Sequence, residues 1–401
     1  MNTNRVIALS SAAAFGTQVV FALITLRLFS PQEVGEFSVI SQIGFFWMTL
    51  ALAQSQLGLL ANQHLSAQVA AQQAWRASAW RGLALLPIAA LAVWFSQLAL
   101  WPALLWAMLL AFCQMGWMLA QSLTLRAGSA WQQAAVRALP PVTAVATALT
   151  ATLAGTALGW HGPILLLSAL LGYAVGAAWL VPALRRRTTH SSEIAPPAAE
   201  RVSSDPRSAA LRMAHTLVDA LLATAIIVVW QRLYGAEETG WMSALLRVLG
   251  FVPALVHMAW AQVALVRNTQ STHIKPHAWW LGLAAFACVA LLGLSCALAL
   301  DQGWLAPRWQ GVQTYIAPLV LWQGCACLSA AFSDRPFQTQ SASQYSQYCI
   351  LTALVQLFVL ISPVALAFSS SLTPGIHISI FAFTSSIGLL CISIWMSKLK
   401  S

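Results

Sequence analysis

Apolar stretches of about 20 residues follow one another along almost the entire chain, and short polar segments separate them. A stretch of this length can cross the hydrocarbon core of a bilayer as one α-helix. Within these stretches, Gly172 and Gly176 have the spacing of close helix packing, and Pro140 and Pro141 predict a kink. The pattern predicts an all-α integral membrane protein with about 12 transmembrane helices, at approximately 6–28, 38–62, 82–100, 103–124, 138–158, 163–183, 210–231, 241–264, 279–300, 312–332, 347–369 and 377–397.

One polar segment near the middle of the chain interrupts this pattern. Residues 185–207 read RRRTTHSSEIAPPAAERVSSDPR, a composition rich in Pro and Ser that is typical of a flexible linker. Half of the predicted spans lie on each side of it. The sequence therefore predicts an N-terminal six-helix lobe at 1–184, a cytoplasmic linker at 185–209 and a C-terminal six-helix lobe at 210–401.

A short repeat relates the two halves. The segment RLFSPQEVGEFS at 27–38 returns as RLYGAEETGWMS at 232–243, and each copy joins the first two spans of its half. Each copy is predicted to be the outer corner of a helical hairpin, where the glutamate opens the second helix because the helix dipole favours an acid there. An even number of spans in each half gives both copies the same orientation, which predicts a pseudo-two-fold axis along the membrane normal. The residues assigned to the corners are Glu33, Gly35, Glu238 and Gly240.

Composition and charge agree with a membrane protein. Hydrophobic residues make up 59% of the chain and charged residues 7%, which excludes a soluble globular protein, where about 25% of residues are charged. Most of the 20 lysines and arginines fall in predicted loops on one side, so the positive-inside rule places both termini in the cytoplasm. The net charge of +10 is interpreted as a topology signal that attracts anionic lipids, not as a nucleic-acid-binding surface. Tryptophans near predicted span ends, including Trp230 and Trp309, are interpreted as an interfacial belt.

The sequence does not indicate catalytic or metal-binding chemistry. Its 7 cysteines lie in or beside apolar stretches, and Cys325 and Cys327 lack the spacing of a zinc site. No P-loop, HExxH or Gly-x-Ser-x-Gly motif occurs. We therefore expect no metal, no cofactor and no ATP hydrolysis, and we expect that the protein is not an enzyme.

At the first corner the chain resembles a known family. An arginine-leucine pair ends the first span, and Pro31, Glu33, Gly35, Phe37 and Ser38 form a Pro-x-Glu-x-Gly-x-Phe-Ser motif. This motif resembles that of polysaccharide and O-antigen flippases of the multidrug/oligosaccharidyl-lipid/polysaccharide exporter superfamily. The resemblance implies that the chain moves an undecaprenyl-pyrophosphate-linked oligosaccharide from the cytoplasmic to the outer leaflet of the bacterial inner membrane by alternating access. It also implies contact with the glycan polymerase of the same pathway, whereas a monomer is expected because two lobes already enclose a cleft.

Polar residues inside the predicted spans are the candidate binding groups, because a charge at the bilayer centre is costly and needs a partner or a role. Arg247 is interpreted as the ligand of the substrate pyrophosphate, since a guanidinium group can bind phosphate oxygens through two hydrogen bonds. In the first copy of the repeat, Gln42 occupies the position of Arg247. The other candidates for the central cavity are Arg27 and Arg232, for the same headgroup near the outer mouth, and Gln42, Gln54 and His257, for sugar hydroxyls.

Three further polar residues lie on one face of the seventh predicted span, namely Arg212, His215 and Asp219. Asp219 is interpreted either as a coupling carboxylate or as an ion-pair partner of Arg247 that locks two spans together. An unperturbed histidine titrates near neutral pH, so His215 fits either a role in transport or a hydrogen bond between helices.

Two other functions fit the sequence less well. A cation-coupled multidrug exporter of the same superfamily would need an acidic residue within the first six predicted spans to bind the cation, and these spans contain none. A membrane glycan polymerase or ligase would need a large outer loop with catalytic basic residues, whereas the predicted outer loops are short.

Overall fold

The chain folds into two compact units of helices. The computed structural model describes residues 3–53, 55–61, 64–158, 163–185, 206–257, 277–339, 341–365 and 372–399, and all regular elements within these ranges are helical. Unit 1 comprises Met1–Phe29 and Glu36–Ser203, and unit 2 comprises Ser30–Gly35 and Ser204–Ser401. The start of the second helix therefore belongs to unit 2, although the rest of that helix belongs to unit 1.

Unit 1 is built around helix α7, which packs against α1, α6 and α8. The helices in this part of the chain are α1 Thr3–Leu28, α2 Pro31–Leu52, α3 Ser55–Ala61, α4 Ala67–Ala84, α5 Leu86–Phe95, α6 Leu100–Ala127, α7 Ala130–Leu158, α8 Ile164–Ala178 and α9 Val181–Arg185.

A proline inside α7 is accommodated by a tryptophan of α6. Pro140 has no backbone N–H, so the carbonyl of Val136, four residues earlier, loses its helical donor. The indole Nε1 of Trp117 donates a hydrogen bond to this carbonyl at 2.8 Å. A Cβ atom on Gly176 of α8 would come within 2.3 Å of the same indole, and one on Gly172 would come within 2.7 Å of the Pro140 carbonyl. The close packing predicted for the two glycines therefore makes room for the proline and its tryptophan partner.

Unit 2 is built on α10, the longest helix. It runs Pro206–Leu255 and bends at Gly235, whose φ of 85° and ψ of −179° are non-helical. Glycine adopts this φ without strain because it has no Cβ atom. The bend divides α10 into a first arm, 206–234, and a second arm, 236–255, and α10 packs against α12 and α14. The helices that follow are α11 His277–Asp301, a 3₁₀ helix Pro307–Val312, α12 Gln313–Ala331, α13 Arg335–Gln338, α14 Ala342–Ala365 and α15 Pro374–Lys398.

The number of helices that could span a membrane can be compared with the number of spans predicted from the sequence. Among the described residues, 8 helices are long and apolar enough to cross a membrane, or 9 if the bent pair α4 and α5 is one span, so the chain is a multi-pass membrane protein. Helix α10 counts once here, although its two arms overlap two predicted spans. The predicted total of about 12 spans in two six-helix lobes stays a prediction.

The structure differs from the sequence pattern at the third predicted span, 82–100. Helix α4 already begins at Ala67, within a stretch interpreted as a loop, and it meets α5 at an angle of 48°. Pro87 lies in the first turn of α5 and has no N–H with which to continue the hydrogen bonds of α4. The bend therefore falls at this proline.

The two corners of the repeat lie against each other in unit 2. A Cβ atom on Gly35 would lie 1.9 Å from the carbonyl oxygen of Ala236, and one on Gly240 would lie 1.8 Å from the carbonyl oxygen of Pro31. Pro31 and Ala236 occupy equivalent positions in the two copies, so the contact is reciprocal. Backbones approach this closely only where there is no side chain between them. We call these four residues the corner crossing, and it explains why both copies of the repeat contain glycine at this position.

Replacement of either glycine of the corner crossing should destabilise unit 2. Gly35→Ala and Gly240→Ala each push a methyl group into a backbone carbonyl, and we expect a loss of about 3 kcal/mol, the upper end of the usual cost of overpacking. The measurement is the unfolding temperature of the purified, detergent-solubilised chain, followed as the loss of monodisperse protein on heating.

Gly250→Ala is the matched control, because Gly250 lies on the same arm of α10 as Gly240. Its added Cβ atom would meet the side chain of Gln323 at 3.8 Å, which is an ordinary contact. This variant should unfold at the wild-type temperature or above it, since alanine favours a helix more than glycine does. Equal unfolding temperatures for Gly240→Ala and Gly250→Ala would contradict the prediction.

Candidate functional site

The glutamate of the first corner caps a helix. The Oε2 atom of Glu33 accepts hydrogen bonds at 2.7 Å from both the backbone N–H and the hydroxyl of Ser30, and the Ser30 hydroxyl accepts one at 3.3 Å from the Glu33 N–H. This reciprocal arrangement is a capping box, which satisfies N–H groups at the start of a helix. Glu33 therefore contributes to the beginning of α2.

The glutamate of the second corner makes a different contact. Gly235 occupies the position of Ser30 and has no hydroxyl group, so a capping box cannot form there. The Oε2 atom of Glu238 instead accepts a hydrogen bond from the hydroxyl of Tyr315 on α12. The oxygen of that hydroxyl accepts a hydrogen bond at 3.1 Å from Nε1 of Trp230. A chain of two hydrogen bonds therefore connects the first arm of α10 to its second arm through α12.

A histidine of α15 completes this arrangement. The ring of His377 stacks on Trp230, with ring centroids 4.9 Å apart and an interplanar angle of 25°. Its Nδ1 atom lies 3.0 Å from the hydroxyl of Tyr234, and its Nε2 atom lies 3.4 Å from the carbonyl oxygen of Val359 on α14. The Trp230, Tyr315 and His377 side chains are buried, whereas Glu238 and Tyr234 are half-buried. We call the set Trp230, Tyr234, Glu238, Tyr315 and His377 the corner cluster.

The first copy of the repeat has no such set of side chains. Thr25 and Phe29 occupy the positions of Trp230 and Tyr234, and both are buried. The hydroxyl of Thr25 donates to the carbonyl of Phe21 in its own helix. The first corner is therefore formed without an aromatic and acidic cluster, and the second corner carries it in addition to the shared backbone contact.

The assignment of two tryptophans to an interfacial belt was wrong. Trp230 and Trp309, interpreted as members of an interfacial belt, are both 0% exposed. The indole N–H of a buried tryptophan needs a protein acceptor, and Trp230 finds one in Tyr315. Tyr315 and His377 were not predicted at all, because a tyrosine or a histidine in an apolar stretch is indistinguishable from a core residue. One sequence feature could have indicated the cluster. Where the first copy has Thr25 and Phe29, the second copy has Trp230 and Tyr234, although the two copies are otherwise similar.

The arginines and glutamines predicted for the central cavity are distributed over both units, and their roles stay predictions. In unit 1, Arg27 is exposed near the end of α1, and Gln42 is half-buried on α2. In unit 2, Arg232 is exposed on the first arm of α10, and Arg247 is half-buried on the second arm. Gln54 and the side chain of Arg212 lie outside the described residues.

Other polar candidates are placed in unit 2. Asp219 lies next to His215, with 3.8 Å between Oδ2 and Nε2, and its side chain is 67% exposed. The ring of His215 meets the ring of Tyr345 on α14 edge to face, with centroids 5.7 Å apart. His257 is exposed, and its Nδ1 atom lies 3.2 Å from the hydroxyl of Ser333 at the end of α12. The predicted ion pair between Asp219 and Arg247 stays a prediction.

Removal of one hydroxyl group should weaken the corner cluster. Tyr315→Phe leaves the Glu238 carboxylate without this donor and the Trp230 indole without this acceptor, and we expect a loss of about 2 kcal/mol. The unfolding temperature of the purified chain measures this loss. Tyr348→Phe is the control, since Tyr348 is 43% exposed on α14, and it should unfold at the wild-type temperature. If Tyr315→Phe is as stable as wild type, the hydrogen bonds of the cluster do not stabilise the fold.

Comparisons with known proteins identify the fold. No protein-family model matches the chain, and no curated protein sequence matches it significantly. Among solved structures, the chain is similar to the lipid II flippase MurJ in an inward closed conformation, with a TM-score of 0.58 and 10% identity over 98% of this chain and 86% of that chain. It is also similar to a multidrug resistance MATE family transporter of the MOP superfamily in an inward-facing conformation, with a TM-score of 0.46 and 13% identity over 96% of this chain and 93% of that chain. The chain is a multi-pass membrane protein that shares its fold with a lipid flippase.

Proposed function

We propose that the protein is a flippase that moves an undecaprenyl-pyrophosphate-linked oligosaccharide, an O-antigen unit or another surface polysaccharide repeat unit, from the cytoplasmic to the outer leaflet by alternating access. The main support is the similarity to a lipid II flippase over 98% of the chain. The residues themselves support a substrate with an anionic headgroup and a polar glycan. We place the protein in the bacterial inner membrane with both termini in the cytoplasm, acting as a transporter and not as an enzyme.

Arg247 is the proposed ligand of the pyrophosphate. It lies 12 residues beyond the bend of α10, which corresponds to about 18 Å along the second arm. The sequence of that arm around it, SALLRVLGFVPAL, contains no other charged residue. A permanent cation in such a segment is costly unless an anion or a polar partner compensates it. A pyrophosphate group offers oxygens that match the two parallel N–H groups of a guanidinium.

Five other polar residues are proposed to contact the substrate. Gln42 has an amide that both donates and accepts hydrogen bonds, as sugar hydroxyls require, and it occupies the position of Arg247 in the first copy. We assign a similar role to Gln54 and His257. Arg27 and Arg232 are exposed close to the two corners, and we propose that they receive the headgroup near the outer mouth.

The charge of Arg247 should be required for transport. Arg247→Gln introduces the residue that the first copy contains, and it removes the charge while keeping hydrogen-bonding capacity. We expect it to reduce translocation by about tenfold or more, because hydrogen bonds to charged groups contribute about 1.5–3 kcal/mol each. Arg247→Lys should retain part of the activity, since it keeps the charge and loses the planar guanidinium. The measurement is the appearance of the lipid-linked oligosaccharide in the outer leaflet of cells that lack the protein and carry each variant.

Arg76→Ala is the control for a general loss of positive charge, because Arg76 is exposed on α4. This variant should translocate at the wild-type rate. If Arg247→Gln, present at wild-type amount, also translocates at the wild-type rate, the proposed pyrophosphate contact is wrong. If the oligosaccharide reaches the outer leaflet without the protein and remains unpolymerised, the flippase proposal is wrong and a polymerising enzyme becomes the better explanation.

A further inference from the structure

The corner cluster contains a carboxylate, that of Glu238, which accepts a hydrogen bond from a side chain of another helix. Glu238 is half-buried, and its Oε2 atom is bonded to the Tyr315 hydroxyl. Trp230 donates to the same hydroxyl from the opposite arm of α10. Side-chain hydrogen bonds from Trp230 to Tyr315 and from Tyr315 to Glu238 therefore connect the two arms of α10 across the bend at Gly235.

The direction of these hydrogen bonds depends on the charge of Glu238. A tyrosine hydroxyl has one donor hydrogen, and here the indole N–H already occupies one of its acceptor positions. When Glu238 is ionised, Tyr315 donates its hydrogen to the carboxylate in a charge-assisted bond, which is about twice as strong as a neutral one. When Glu238 is protonated, this charge assistance is lost, and the carboxylic O–H competes with the tyrosine O–H as a donor.

We propose that the corner cluster is a proton-binding site, in which Glu238 takes up one proton from water and thereby weakens the connection between the two arms of α10. The proton adds to the carboxylate, no covalent bond is broken, and the hydrogen bond between Tyr315 and Glu238 becomes weaker. This inference goes beyond the flippase proposal and does not depend on it, because proton binding is tested without any substrate.

The surroundings favour Glu238, among the titratable groups of the cluster, as the group that takes up the proton. Tyr315 of α12 faces the carboxylate, and Tyr234 and Glu237 of α10 act on it electrostatically. His377 of α15 faces Tyr234 and is 1% exposed, with both ring nitrogens close to polar partners. The Glu238 side chain is therefore more accessible than the histidine ring.

The comparison between the two copies shows that the cluster is an addition to the shared corner. On the α2 side of the corner crossing, Glu33 accepts hydrogen bonds from Ser30 within its own helix start. Thr25 and Phe29 replace the tryptophan and the tyrosine there. The first corner therefore forms without a carboxylate bonded across a bend, whereas the second corner contains one at Gly235.

Hydrogen–deuterium exchange of peptides covering 230–243 tests the proposal on the full purified chain in nanodiscs. In wild type, protection of this segment should fall about fivefold between about pH 8 and about pH 3.5, which lies below the ordinary pKa of a glutamate, about 4.3. The comparison is made after correction for the intrinsic pH dependence of exchange, and the change corresponds to about one hydrogen bond. Glu238→Gln resembles the protonated acid, so it should show the low protection at both pH values. Persistence of the wild-type pH response in Glu238→Gln would overturn the proposal.

Two further variants make the test specific. Glu237→Gln removes the neighbouring exposed carboxylate and should keep the full pH response of wild type, so a loss of the response in this variant would also overturn the proposal. Tyr315→Phe keeps Glu238 and removes its hydrogen-bond donor, and its corner should show low protection at both pH values. A wild-type response in Tyr315→Phe would mean that proton binding does not act through the cluster.

Discussion

The corner crossing is the contact on which the arrangement of the repeat depends. Two backbones meet there with each glycine against the carbonyl of the residue equivalent in the other copy, at distances that leave no space for a Cβ atom. The contact holds Ser30–Gly35 within unit 2, while the chain on both sides of this segment belongs to unit 1. Glycine is therefore fixed at two positions by geometry, and the neighbouring positions remain free to differ between the copies.

One such difference changes the local structure. In the first copy, Ser30 ends the connection after α1 and caps α2 together with Glu33, so two separate helices result. In the second copy, Gly235 takes a positive φ and the chain continues as α10 with a bend. Because no capping hydroxyl is present, the carboxylate of Glu238 is available to a tyrosine of another helix. The difference between Ser30 and Gly235 thus accompanies a difference in the role of the glutamate. Glu33 caps a helix, whereas we infer that Glu238 binds a proton.

The sequence predicted the helical class and a multi-pass membrane protein, because both follow from local patterns. Apolar length and the spacing of Gly172 and Gly176 are visible within a few tens of residues, and the repeat is found by comparing residues 27–38 with residues 232–243. It did not predict the bend between α4 and α5, which depends on a single proline within an apolar stretch. It also did not predict the burial of Trp230, which depends on partners from other helices. Tyr315 is 85 residues away from Trp230 along the chain, and no pattern in one sequence connects them.

The two copies share backbone geometry and differ in charge, and this difference is the strongest physical argument about function. In the first copy, Gln42 is the residue equivalent to Arg247 and Ala14 is the residue equivalent to Asp219, and the remainder of α2 after Glu36 has no charged residue. Charge inside a membrane is costly, so a fold that needs only its corner crossing would carry none of these groups. The backbone contact is common to both copies, whereas these two groups occur in the second copy alone, and this asymmetry supports our proposal that Arg247 binds substrate. The glutamate, by contrast, occurs in both copies, and only its hydrogen-bond partner differs, which is Ser30 in the first copy and Tyr315 in the second.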